Sequence, residues 1–408
     1  MRKINLIILL LAASLFSYSG GDGSLDAPFE IDSAEDLSQL AGTPGHWGKS
    51  FKFTSDIEMK GRHIEPIAPE QEDPFGGTVQ GGGHKIHNLS YTGRFSETAG
   101  FFANLSPNAR IVDLHLVNPK MFAARDDLVY AGTLAGLCKG KLIKCSATEV
   151  KMNIRCGDYA AGGALVGRLK GGLITGCRSS GEVAVYAGRR AFAGGLVGYS
   201  LQAVVENSSS ECDVSVDSDK FSYAGGITGY AVEGEITRCF TADSRVSSGN
   251  NNSYCGGISG ELYNGTLTAC WSKSDVFPHK SAFGGGITGR QYYSIIRNSF
   301  FAGGLSTELS DNSRGGVAGE TQKSILEGCF WNLETSECFN PAGCGDEYKG
   351  RTSRALKPEL MKDYYFYKHA GWLFAGQAKK GEEPNWKEVP GSLPQLYMEG
   401  TSETPLDK

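Results

Sequence analysis

The sequence predicts an all-β chain wound into a parallel β-helix of about 31 residues per coil, and three observations predict it. The first is a spaced glycine motif: glycine, small residue, apolar residue, any residue, glycine. It begins at Gly132, Gly163, Gly194, Gly225, Gly256, Gly285 and Gly315, at intervals of 31, 31, 31, 31, 29 and 30 residues. A fixed period of this size marks a stacked array of units. The second is that apolar positions return in phase with it. Two places before the closing glycine stand Leu134, Leu165, Leu196, Ile227, Ile258, Ile287 and Val317. Seven places after it stand Ile143, Ile174, Val205, Ile236, Leu267, Ile296 and Leu326. The third is composition: the 56 glycines are periodic with hydrophobics, which argues against disorder and disfavours helices, where each glycine costs about 1 kcal/mol against alanine.

Ten places after the closing glycine come Cys177, Ser208, Cys239, Cys270, Ser299 and Cys329, with Cys145 one place early in the first repeat. Short β-branched alternations follow, such as Val183 and Val185, or Val214 and Val216. These segments read as about three short strands per repeat. One such coil cannot bury its inner side alone. Stacking coils at about 4.8 Å pairs strand with identical strand and turns equivalent residues into interior ladders. The glycines then serve sharp corners and close backbone approach. The expected hand is right, by the rule for parallel crossovers.

From the N-terminus, Arg2 and Lys3 followed by the apolar run Ile4 to Phe16 have the layout of a secretory signal peptide, too short to span a bilayer. Residues 1–19 are expected to be removed after Ser19. Residues 20–98 read as an N-terminal cap and first irregular coils. In them "SAEDLSQLAG" forms a short amphipathic helix, with Ser33 and Asp36 in a capping arrangement and Leu37 and Leu40 facing the core. "FKFTSDIEM" and "HKIHNLSYTG" read as strands. Residues 99–336 carry the repeats, beginning with a divergent one around Phe102 and Leu114. Residues 337–408 read as a C-terminal cap, with "YYFYKHAGWLF" lying over the last coil. Caps are needed because open strand edges invite aggregation.

The repeats "AGGLVGYS", "AGGITGYAVEGEITRCF" and "CGGISGELYNGTLTACW" resemble the GLUG repeats of bacterial secreted and surface proteins. The flanking "PFGGTVQGGGHKIHNL", "CFWNLETS", "GWLF" and "LPQLY" resemble the segments before and after such repeats. The resemblance implies a β-helix and an extracellular setting. It carries over no catalytic residue.

Searching for chemistry returns little. The 11 cysteines are odd in number, so at least one lacks an intrachain partner. The Cys/Ser column suggests small buried side chains, since facing positions on stacked strands suit disulfides poorly; Cys338 and Cys344 are the best disulfide candidates. No cysteine pair has zinc-knuckle spacing. His84 and His87 lack the glutamate of a zincin. "GGGITG", at Gly284 to Gly289, has no helix or acidic partner for a dinucleotide. The nearest acidic clusters, Asp126 with Asp127 and Asp217 with Asp219, fall in different phases of the repeat. No metal or cofactor is expected. The net charge of −5, without a basic patch, makes nucleic acid an improbable partner. Tyr130, Phe192, Tyr223, Tyr254 and Phe283, six places before the closing glycine, form a column broken by Ala161 and Ser313. It is either a packing stack or a flat platform for sugar rings. The leading expectation is a non-enzymatic, secreted or surface-attached solenoid that contacts glycans or surface proteins. The alternatives are a polysaccharide lyase or hydrolase on the same scaffold, and a passive envelope component.

Overall fold

The computed structural model describes residues 18–93, 96–250, 252–279, 281–306, 313–345, 352–379 and 384–397. Residues 1–17 of the expected signal peptide lie outside the described residues. The other two, Tyr18 and Ser19, belong to the packed cap. The Tyr18 ring is buried 4.4 Å from Phe29 between centroids, and Ser19 Oγ donates to Asp36 at 3.0 Å. A cut after Ser19 would remove both.

The chain is a parallel β-solenoid. One coil consists of the strands Tyr159–Gly163, Val166–Lys170, Leu173–Thr175 and Arg178–Ala187. Each pairs in parallel with its equivalent one coil later, as Leu173 does with Val204, 31 residues on. Among the described residues the four resulting sheets hold 8, 9, 11 and 15 strands. This coil thus has four strands, not the three expected. The two strands flanking the Gly-x-x-x-Gly corner are rich in glycine and alanine, so their β-propensity is weak. Their backbones approach too closely for side chains: a Cβ on Gly163 would stand 2.6 Å from the Gly198 nitrogen.

Inside, Leu134, Leu165, Leu196, Ile227, Ile258, Ile287 and Val317 form one fully buried ladder. Ile174, Val205, Ile236, Leu267, Ile296 and Leu326 form another. Ile143 does not belong to it. Leu142 pairs with Ile174 and is buried, while Ile143 pairs with the outward Thr175. The first repeat is one residue shorter after its closing glycine, which also explains the early Cys145.

The ladder of Cys177, Ser208, Cys239, Cys270, Ser299 and Cys329 is buried throughout and is more than small. Each member follows a residue in the left-handed region: Gly176, Asn207, Arg238, Ala269, Asn298 and Gly328 have φ between 48° and 66°. Ser299 Oγ accepts from the Cys270 nitrogen at 3.1 Å and donates to the Arg297 carbonyl at 2.8 Å. Ser208 makes the same pair of bonds to Cys177 and Glu206, and Cys270 Sγ accepts from the Cys239 nitrogen at 3.4 Å. Hydroxyl and thiol interchange because both satisfy this turn from within.

The fourth strand is the longest. The strands Ser146–Cys156, Arg178–Ala187 and Ser209–Ser218 are each bent into two halves. The bend is a bulge between Ala147 and Val150, followed one coil on by Gly181 at φ 118°. A Cβ on Gly181 would press within 2.9 Å of Val150 Cα, so the bend depends on glycine there.

The cap helix Ala34–Gly42 starts from Ser33, whose side chain accepts from the Asp36 nitrogen, and buries Leu37 and Leu40. The C-terminal region differs from expectation. Ala342–Gly345 and Arg354–Leu356 continue two of the sheets. The helix Tyr364–His369, Trp372, Phe374 and Trp386 then pack along the flank and not only over the last coil. They cover an outward column of Phe240, Trp271, Phe300 and Phe330. The reason is those rings: four consecutive coils expose an aromatic ridge on that flank, and burying it is worth about 2 kcal/mol or more per ring.

Candidate functional site

Two other outward faces bear on function. The first lies at the corner between the glycine-rich sheets. Phe192, Tyr223, Tyr254 and Phe283 stack along the axis with successive centroids 5.1, 5.5 and 5.6 Å apart and planes within 20°. Tyr199 and Tyr230 of the neighbouring sheet join the stack. Tyr130 continues it through Arg168, which donates to the Tyr130 hydroxyl at 3.1 Å and lies over both Tyr130 and Tyr199. Ala161 fills its rung, fully buried. Phe192 and Tyr223 are only 7% and 8% exposed. The ring faces are spent on one another, so this column does not offer a flat platform to a sugar. Glu261 is buried on the same corner, 3.8 Å from Arg290, which also reaches Glu320 at 3.3 Å. Burial raises the Glu261 carboxyl to about 7, with Arg290 opposing and Glu320 adding to the rise.

The second face is an open trough of about 510 Å³ on the outer half of the long fourth strands. The inward residues there, Met152, Ile154, Val183, Val185, Val214 and Val216, are buried. Strict alternation sends the residues between them outward. Asn153, Ala184, Ser215 and Ser247 stack in register as a floor of small side chains. Arg155, Tyr186 and Asp217 stack as one wall. The Tyr186 ring is 38% exposed, and its hydroxyl donates to Asp219 at 2.9 Å. Along the other edge run Lys120, Lys151, Glu182 and Asp213, again in register. Phe122, 42% exposed, opens the floor one rung before Asn153.

The acidic clusters noted in the sequence stay apart. Asp127 is held by Arg125, whose hydrogen bond lowers the carboxyl to about 2, whereas Asp217 lines the trough. His84 and His87 share the Asp56 carboxylate at 3.3 and 3.8 Å on an exposed turn. Among the described residues no three His, Cys, Asp or Glu side chains gather as a metal site. Cys338 and Cys344 are not bridged: Cys338 is buried in the core, while Cys344 pairs with Glu320 in the outward register. Sequence reading missed Tyr186, Asn153 and Ser215. Their signal was the residues between the paired valines, whose outward face only the stacking of coils turns into a continuous surface.

These features define a β-solenoid that carries an open polar trough. No protein-family model matches the chain. Over 125 residues, 28% of its length, it is 30% identical to Halomucin of Haloquadratum walsbyi, and the match covers 1% of that protein. Among solved structures, a "putative immunoglobulin A1 protease" from Bacteroides ovatus aligns with 93% of this chain and 95% of that one, at a TM-score of 0.48 and 17% identity. No helix among the described residues is long and apolar enough to cross a membrane.

Proposed function

We propose that this protein is an exported, non-enzymatic solenoid that holds a glycan chain along its trough. One observation carries the reading: part of the trough's polar lining is left without partners, while Tyr186, Asp217, Ser247 and Ser248 are bonded to Asp219, the Ser218 nitrogen, the Val214 carbonyl and Ser253. Asn153, Arg155 and Ser215 make no hydrogen bond or ion pair with other described residues, whereas outward columns elsewhere pair along the ladder, as Arg297 does with Glu327 and Gln202 with Glu233. A small-residue floor beside an exposed tyrosine suits a sugar, which needs stacking on one face and hydroxyl partners at its rim. Coil spacing also approximates the length of one pyranose ring, so successive sugars would meet equivalent rungs. Export is supported by the basic and apolar start of the chain, and attachment to a cell surface is the setting in which such a rigid binder would act.

The test is a glycan array with the exported protein beside two variants, Tyr186→Ala and Ser215→Trp, the second filling the floor. Binding that both variants lose is the expected result. Equal binding by all three proteins would place the contact elsewhere. Shortening of a bound polysaccharide by the wild-type protein would replace this reading with the enzymatic one, for which Glu182 and Asp213 on adjacent rungs are the available carboxylates.

A further inference from the structure

The charges around the trough are sorted along its length. At the N-terminal mouth Lys120 and Lys151 occupy adjacent rungs of one column, and Arg155 stands on Lys151's own strand, four residues on. Strand geometry places Arg155 about 13 Å along from Lys151, on the opposite side of the floor. Between these cations lie Phe122 and Asn153. On the very next rung, beside Lys151, the same edge turns acidic with Glu182 and then Asp213, and the wall carries Asp217. Lys120, Lys151, Arg155 and Phe122 are all exposed, and none of the three cations has an ion pair among the described residues. Stacked like charges on neighbouring strands are destabilising, and the chain as a whole is acidic at −5, so this local cationic mouth is not a by-product of composition.

We propose that the mouth of the trough is a subsite for an anionic sugar, with neutral sugars following along the acidic half. The inference rests on reading the trough as a glycan site. A pyranose lying on the Phe122 ring would place its carboxylate or sulfate oxygens between Lys120 and Lys151, with Arg155 reaching from the far side. The next sugars would pass Tyr186 and donate hydroxyl protons to Glu182, Asp213 and Asp217. The acidic half repels further negative charge, so a glycan with one terminal anionic sugar fits better than a uniform polyanion.

Calorimetry with matched probes tests this. One oligosaccharide ends in glucuronate, a second ends in glucose, a third ends in glucose 6-sulfate, and polygalacturonate serves as the uniform polyanion. The glucuronate probe should bind about tenfold more tightly than the glucose probe, the factor expected for one charge-assisted contact. Lys151→Gln and Phe122→Ala should each erase that preference, while Lys141→Gln, on a different sheet, should leave it intact. A sulfate probe that matches the glucuronate probe identifies the subsite as general for anionic sugars; one that binds like glucose restricts it to carboxylates. Equal affinity for the glucose and glucuronate probes, or preference for polygalacturonate, overturns the subsite while leaving the glycan reading standing. Failure of every probe to bind would count instead against the glycan reading itself.

Discussion

The two halves of the long fourth sheet meet solvent in opposite ways. In the first half the outward column becomes Phe240, Trp271, Phe300 and Phe330, and the chain returns through Trp372 and Trp386 to cover it. In the second half the outward columns are Asn153, Ala184, Ser215 and Ser247 with Arg155, Tyr186 and Asp217, and nothing among the described residues covers them. A bulge shifts the register between them, but both halves are parallel ladders of one sheet. The difference teaches that the outward side chains decide which face is sealed: apolar rings recruit a cover because leaving them wet is costly, whereas polar rungs carry no such penalty and stay open to solvent.

The largest effect should come from breaking the covered half. Trp271 is 1% exposed and stacks 4.5 Å from Phe240 and 5.8 Å from Phe300. Trp271→Ala should cost about 3–5 kcal/mol and expose the C-terminal flank to limited proteolysis. An unchanged denaturation midpoint and an intact C-terminus would show that the cover is incidental.

The aromatic corner is a second sealed outward face, and Glu261 makes it sensitive to pH. Its folded pKa, raised from 4.5 to about 7, lies above the unfolded value. The stabilising contribution is therefore fully present below about 4.5 and lost as pH rises through about 7. Thermal midpoints should fall across that window, by the equivalent of about 2–3 kcal/mol at most, and Glu261→Gln should flatten the slope. A slope of equal size in the variant would assign it to other groups.

Cys270 gives the scale for the interior. Cys270→Ser keeps a donor to the Thr268 carbonyl and an acceptor for the Cys239 nitrogen, so it should cost only about 1 kcal/mol. A loss of several kcal/mol in urea unfolding would show that sulfur volume, not hydrogen bonding, rules that ladder. The smallest effect on stability belongs to the open half. Tyr186→Ala should stay within about 0.5 kcal/mol of wild type while abolishing glycan binding. A large destabilisation would mean that this face, too, is structural.

The sequence by itself determined the period, the parallel stacking and the two aliphatic ladders, because each repeat restates the same inward positions and only stacked coils can bury them. It also placed the cap helix, through Ser33, Asp36, Leu37 and Leu40. Tertiary structure alone decided the rest. A one-residue shortening moved the first rung from Ile143 to Leu142, which a fixed count from Gly136 cannot detect. Glycine-rich corners hid a fourth strand whose pairing depends on backbone approach and not on side-chain preference. The column of Tyr130, Phe192, Tyr223, Tyr254 and Phe283 was legible as a column, but only geometry showed its ring faces turned on one another. The trough was invisible because it is assembled from residues 31 apart, each unremarkable on its own strand, and becomes a surface only when the coils are stacked in register.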